Sequence, residues 1–207
     1  MDSIDQLPKR PIPKHISELT GKVNPMYERG GPYSVNCMRV TNSVELNMRG
    51  HQVVAGPHTY TVGRFYPDDE PHYTIWRTAE RLDQKLSSTH FVATAWRAPD
   101  GQVRMPYAAK ATTGAGGMNG QTLRDMTAHM PDGARGFAEG EWKGTRSGHI
   151  WNWVKEDGEI KWFEGQSSDG LINVDERLKK LKAGSLTMMR TDDLTPTDEL
   201  LGVIGVD

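Results

Sequence analysis

Apolar positions recur at four-residue spacing over Val40, Val44 and Met48, with Cys37 about one turn ahead of Val40 and Gly50 behind. That spacing predicts a helix beginning at or near Cys37, with one buried stripe and a glycine stop. His51 to Ala55 reads as a short strand ended by Gly56-Pro57, and Ile75, Ala79, Leu82 and Leu86 line one face of a helix over 74–87. Phe91 to Trp96 and Val103 to Ala109 read as strands around the Asp100-Gly101 turn. Gly114 to Gly120 reads as a flexible loop. A short helix carrying Leu123, Met126 and Met130 follows and stops at Pro131.

The later part of the chain has a different period. Ala134 to Trp142 predicts a strand, and Gly148 to Lys155 and Glu159 to Glu164 are two aromatic-rich strands joined at Asp157-Gly158, a strong short-range hairpin signal. A helix over 174–182 and a strand from Ser185 to Arg190 close the pattern. A helix bearing the cysteine followed by a mostly antiparallel sheet is an α+β order. Ahead of it, Pro8, Pro11, Pro13, Pro25 and Pro32 mark an extended proline-rich arm or wrapping segment. The expected organisation is an arm over 1–32, one domain over 33–194, and a tail over 195–207 whose apolar end, Leu200 to Val206, packs as a last element or engages a partner.

Composition narrows the functions. The 207 residues are 36% hydrophobic and 25% charged, with a formal charge of −2, so no basic surplus points to nucleic acid. No apolar run approaches the roughly 20 residues of a membrane helix. The N-terminus carries acids where a signal peptide carries basic residues, so no secretory leader is expected. The seven histidines form no His-Glu-x-x-His or close pair, and the single cysteine excludes an internal disulfide or a thiolate zinc cage. Neither metal nor cofactor is expected. The glycines of 114–120 fit no phosphate-binding motif, and Lys179, Lys180 and Lys182 read as a solvated helix face.

A two-residue turn at Asp157-Gly158 places Trp153 opposite Trp162, Trp151 opposite Glu164 and His149 opposite Gln166. All six then project to one face, with His149 and Glu164 diagonal neighbours. A histidine acting as a base needs an acceptor on its other ring nitrogen, and Glu164 is the natural candidate. Trp151, Trp153 and Trp162 read either as a wall for a substrate side chain or as core. Cys37 reads either as an inert buried thiol or as a nucleophile. At a helix N-terminus, backbone N–H groups and the helix dipole favour a thiolate and can hold an oxyanion. Asn36 is placed to cap that helix.

At these residues the chain resembles the papain-fold toxin family of protein glutamine deamidases and cysteine proteases, found in bacterial polymorphic toxins and attached to phage minor head proteins. The resemblance rests on Tyr33-Ser-Val-Asn-Cys37 with the helix and strand that follow, and on Gly148-His149-Ile-Trp-Asn-Trp-Val with Ile160-Lys-Trp-Phe-Glu164-Gly-Gln166. It also includes the closing run Ser185 to Leu194, and spans about residues 24–194. It implies a papain-like fold with Cys37 as nucleophile, His149 as general base and acid, and Glu164 as orienting acid. Asn36 and Gln166 would support them.

The activity so implied is cysteine-dependent hydrolysis of an amide in a protein substrate or host target: deamidation of glutamine, or proteolysis. The alternative is a non-catalytic phage virion protein whose arm docks onto phage structural proteins. The setting would be the bacterial cytoplasm, a virion, or a target cell. Two departures stand out: the family has Asp where this chain has Glu164, and Gly31 lies where papain has its oxyanion glutamine. The first leaves Gln166 or Asp169 as alternative orienters. The second leaves only backbone N–H groups, with Asn36 a candidate, for the oxyanion.

Overall fold

The computed structural model describes residues 3–27, 33–58, 95–100, 120–145 and 147–206. The expected helix over 74–87, the strand over 103–109, residues 91–94 of the strand before it, and the loop up to 119 lie outside these residues.

Helix α1 is Cys37–Asn47, followed by the short strand β1, Val53–Ala55. Strand β2 is Trp96–Arg97 and helix α2 is Gly120–Thr127. Then come β3 (Arg135–Glu141), β4 (Gly148–Glu156), β5 (Glu159–Glu164) and β6 (Gly170–Ile172). Helix α3 is Val174–Lys180, and β7 (Thr187–Arg190), β8 (Thr195–Pro196) and β9 (Ile204–Val206) end the chain.

Strands β3 to β7 form one antiparallel sheet in the order β6-β5-β4-β3-β7. The β4–β5 register is the one the turn predicts, with Trp153 opposite Trp162. Asp157 and Gly158 both have positive φ, 56° and 78°, the pairing a tight hairpin turn with matching twist requires. The β4–β5 ladder ends at Asn152–Phe163, and on the other edge of β5 Glu164 pairs with Gly170 of β6.

Helix α1 packs on β4 and is buried on nearly every side, so its polar residues must find partners inside the protein. They do. Asn152 of β4 donates to the Thr41 carbonyl at 3.0 Å, Trp96 donates to Asn42 at 2.8 Å, and Asn47 donates to the Val53 carbonyl at 2.7 Å. The buried Glu45 carboxylate is paired with Arg49 at 2.9 Å and with Arg135 of β3 at 3.1 Å. These bonds fix the rotation and height of α1 on the sheet, and therefore the position of its first residue.

Residues 3–27 wrap the domain. Ile4 and Leu7 enter one core cluster, and Ile16, Leu19 and Val23 enter another with Val40 and Val44 of α1. Their backbone is tied to the body by Arg10 N–H to the Gly50 carbonyl and Ala55 N–H to the Val23 carbonyl, both 2.8 Å. The C-terminal segment packs as well: β9 pairs with β1, β8 with β2, and Leu200 and Val203 are fully buried. No helix among the described residues is long and apolar enough to cross a membrane.

Candidate active site

Cys37 is the first residue of α1 and half-buried. His149 is the second residue of β4. The two line one cleft of about 240 Å³, where the thiol and the imidazole interact. Its Nε2 meets Glu164 Oε2 at 2.6 Å. Nδ1 is therefore the nitrogen left for the cysteine. Sequence places these three residues far apart, and the fold brings them into one site.

Glu164 reaches His149 although it is one methylene longer than the family's Asp. Its carboxylate is gripped from three sides. Oε2 also accepts from Arg177 Nη2 of α3 at 3.2 Å, and Oε1 accepts from the Gln166 backbone N–H at 3.2 Å. Arg177 lies over the rings of Trp142 and Trp151, 5.2 and 5.3 Å from their centroids, and both rings stack with His149, at 5.9 and 6.0 Å. The extra rotatable bond of Glu164 is thereby fixed in one geometry. Nothing in the sequence pattern singles out Arg177 or Trp142 as part of the site. The charge run of α3 reads as a solvated face, and Arg177 is the member that turns inward.

The supporting residues act differently from expectation. Asn36 does not cap α1 with its side chain. Its amide is fully buried, and Nδ2 donates to Asn24 Oδ1 at 3.2 Å and to the Gly56 carbonyl at 2.9 Å, so it has no hydrogen left for an oxyanion. Gln166 does not orient the imidazole. Its side chain donates to Asn36 at 3.4 Å, and its backbone holds Glu164. Asp169 bonds Ser167 at an exposed turn. Trp151 and Trp153 are no substrate wall: both are fully buried, packed with Trp162, Leu123 and Leu178 between the sheet and helices α2 and α3. Large rings on a sheet face that helices cover become core.

The missing side-chain cap has a consequence. The N–H groups of Cys37 and Met38, at the start of α1, have no partner within the helix, and both residues line the cleft.

Burial opposes charge on His149, but its hydrogen bonds to Cys37 and Glu164 outweigh that and raise its pKa to about 9. Burial likewise pushes Glu164 up. His149, Arg177 and the Gln166 N–H prevail and bring it below its ordinary value. A histidine raised this way stabilises the fold fully below its unfolded pKa of about 6.5, and the contribution is lost as pH rises through about 9. A lowered carboxyl stabilises above its unfolded value of about 4.3, and the contribution is lost as pH falls through the folded one. The pair thus contributes most between about pH 4.3 and 6.5. The thermal midpoint, followed by circular dichroism, should decline between pH 6.5 and 9, and the decline should flatten in His149→Ala. Equal slopes in both proteins would assign the effect to other groups.

A helix that carries a cysteine at its first turn, packed on an antiparallel sheet that presents a histidine to it, is a papain fold of the α+β class. Residues 35–169 match the family described as papain fold toxin 1, glutamine deamidase, and the chain belongs to that family, whose members are deamidase-type enzymes. No curated protein and no solved structure gives a significant match.

Proposed function

We propose that this protein is a cysteine-dependent deamidase that converts glutamine side chains of a target protein to glutamate, with Cys37, His149 and Glu164 in the roles of nucleophile, acid–base and orienting carboxylate. The observation that carries this reading is an imidazole that shares one cleft with Cys37 and is held through Nε2 by Glu164 at 2.6 Å.

The Cys37 proton passes to His149 ahead of the attack, the imidazolium is held by Glu164, and the Cys37 sulfur then adds to the carboxamide carbon. The developing oxyanion is held by the N–H groups of Cys37 and Met38. The intermediate collapses as His149 returns the proton to the departing nitrogen, releasing ammonia and leaving a thioester. His149 then deprotonates a water, which adds to the thioester and frees the carboxylate product and the thiol. Peptide cleavage would follow the same steps, and the family's description favours the side-chain amide. A virion role through the arm has less support, because Ile4, Leu7, Ile16, Leu19 and Val23 of the arm lie inside their own domain.

Iodoacetamide at neutral pH should alkylate Cys37 at least about tenfold faster in the native protein than in His149→Ala, since general-base activation contributes roughly 10²–10⁴-fold in such sites. Mass spectrometry of host proteins should show glutamine converted to glutamate with the native protein and not with Cys37→Ala. Equal alkylation of Cys37 in both proteins would remove the reading.

A further inference from the structure

Six polar side chains line the cleft: Asn36, Cys37, Arg39, His58, Glu139 and His149. Asn36 is held by Asn24 and Gly56, His149 is held by Glu164 and interacts with Cys37, and Arg39 donates to the Gly202 carbonyl at 3.1 Å. His58 also has a partner. Glu139 differs. It stands exposed on β3, opposite Ile150 and next to Gly140, the residue that faces His149 across the ladder. Among the described residues it makes neither a hydrogen bond nor an ion pair, and its neighbour Glu141 is neutralised by Lys182 at 2.7 Å. Among the described residues it is the charged side chain of the cleft that is left without a protein partner.

An ionised carboxylate accepts hydrogen bonds and donates none. A primary carboxamide brings two N–H donors on its nitrogen, a peptide amide brings one beside a carbon, and a carboxylate product brings none and a like charge. We propose that Glu139 is a specificity-determining residue: it accepts a hydrogen bond from the –NH2 of a primary carboxamide placed over Cys37, and it repels the carboxylate made from it. The same group then selects substrate and expels product. The assignment rests on the deamidase reading and adds the residue that distinguishes amide from acid.

Two alkylating reagents test it without knowledge of the target protein. Iodoacetamide carries the primary carboxamide and iodoacetate the carboxylate, and both react at Cys37. The ratio of their rates, iodoacetamide over iodoacetate, should fall about tenfold in Glu139→Gln, because a nearby like charge in a partly enclosed site has been removed. N,N-dimethyliodoacetamide, neutral and without N–H groups, reports the hydrogen bond separately. Its rate relative to iodoacetamide should rise about threefold in Glu139→Leu, in line with one modest hydrogen bond. Glu141→Gln should leave both ratios unmoved. Ratios unchanged in the Glu139 variants, or moved equally by Glu141→Gln, would overturn the assignment. Failure of the deamidase reading looks different: Cys37 would react with iodoacetamide no faster than it does in His149→Ala, whatever the ratios.

Discussion

Glu164→Gln is expected to lower deamidation turnover by about 10⁴-fold, the scale seen when the carboxylate behind a catalytic histidine becomes an amide. An amide at this position can donate to Nε2, which would leave the wrong nitrogen protonated and turn Nδ1 away from its task. The Glu164 carboxylate also helps hold His149 at about 9, alongside the hydrogen bond to Cys37, so its loss should move the histidine's titration in Cys37 alkylation to lower pH. Glu164→Asp separates charge from reach. The shorter side chain keeps the charge but cannot hold both His149 at 2.6 Å and Arg177 at 3.2 Å from the same main-chain position. A loss of about 10²-fold is expected there, the cost of a misplacement near 1 Å. If Glu164→Gln retained turnover within about tenfold, the orienting role would pass to another group.

The parts of this site that could be read from sequence are those set by local periodicity and turn chemistry. The Asp157-Gly158 turn dictates the hairpin register, and the register puts His149 beside Glu164. The stripe of Val40 and Val44 likewise locates α1 and hence Cys37 at its start. What stayed hidden depends on tertiary packing. Asn36 looks like a cap because it stands ahead of a helix. Only the burial of Asn24 and the Gly56 carbonyl beside it shows that its amide serves the loop rather than the helix. Trp151 and Trp153 share a face with His149, and whether that face meets substrate or helices is decided by where α2 and α3 fall, which no strand pattern states. Arg177 sits among Lys179 and Lys180 in a run that reads as solvated, yet its guanidinium is the one over Trp142 and Trp151. The wrapping of residues 3–27 was legible only as prolines. Its buried anchors, Ile4, Leu7, Ile16 and Leu19, are too sparse to show a period.

Gly165→Ala should both destabilise the fold and disable the site, through one added methyl group. Gly165 lies between Glu164, which holds the histidine, and Gln166, whose backbone N–H holds Glu164. A Cβ at this position would lie 2.8 Å from Val40 Cγ1 and 2.9 Å from Val44 Cγ2, closer than carbon atoms approach, and 3.2 Å from the Phe163 ring. Both valines are fully buried on the face of α1 against β4 and β5, with neighbours that leave no room to swing aside. Overpacking of this kind costs about 1–3 kcal/mol. The relief available is for α1 and the Glu164–Gln166 segment to move apart, and those two elements carry the nucleophile and the acid. A displacement near 1 Å along that line should lower turnover by about 10²-fold even in protein that remains folded. The effect can be divided experimentally. Chemical denaturation gives the stability change, and the rate of Cys37 alkylation below the unfolding transition gives the change in the site. Val40→Ala should relieve the clash in the double variant and return part of the alkylation rate. A Gly165→Ala protein with native stability and native alkylation would show that the helix and the strand end are less tightly coupled than their contact distances require.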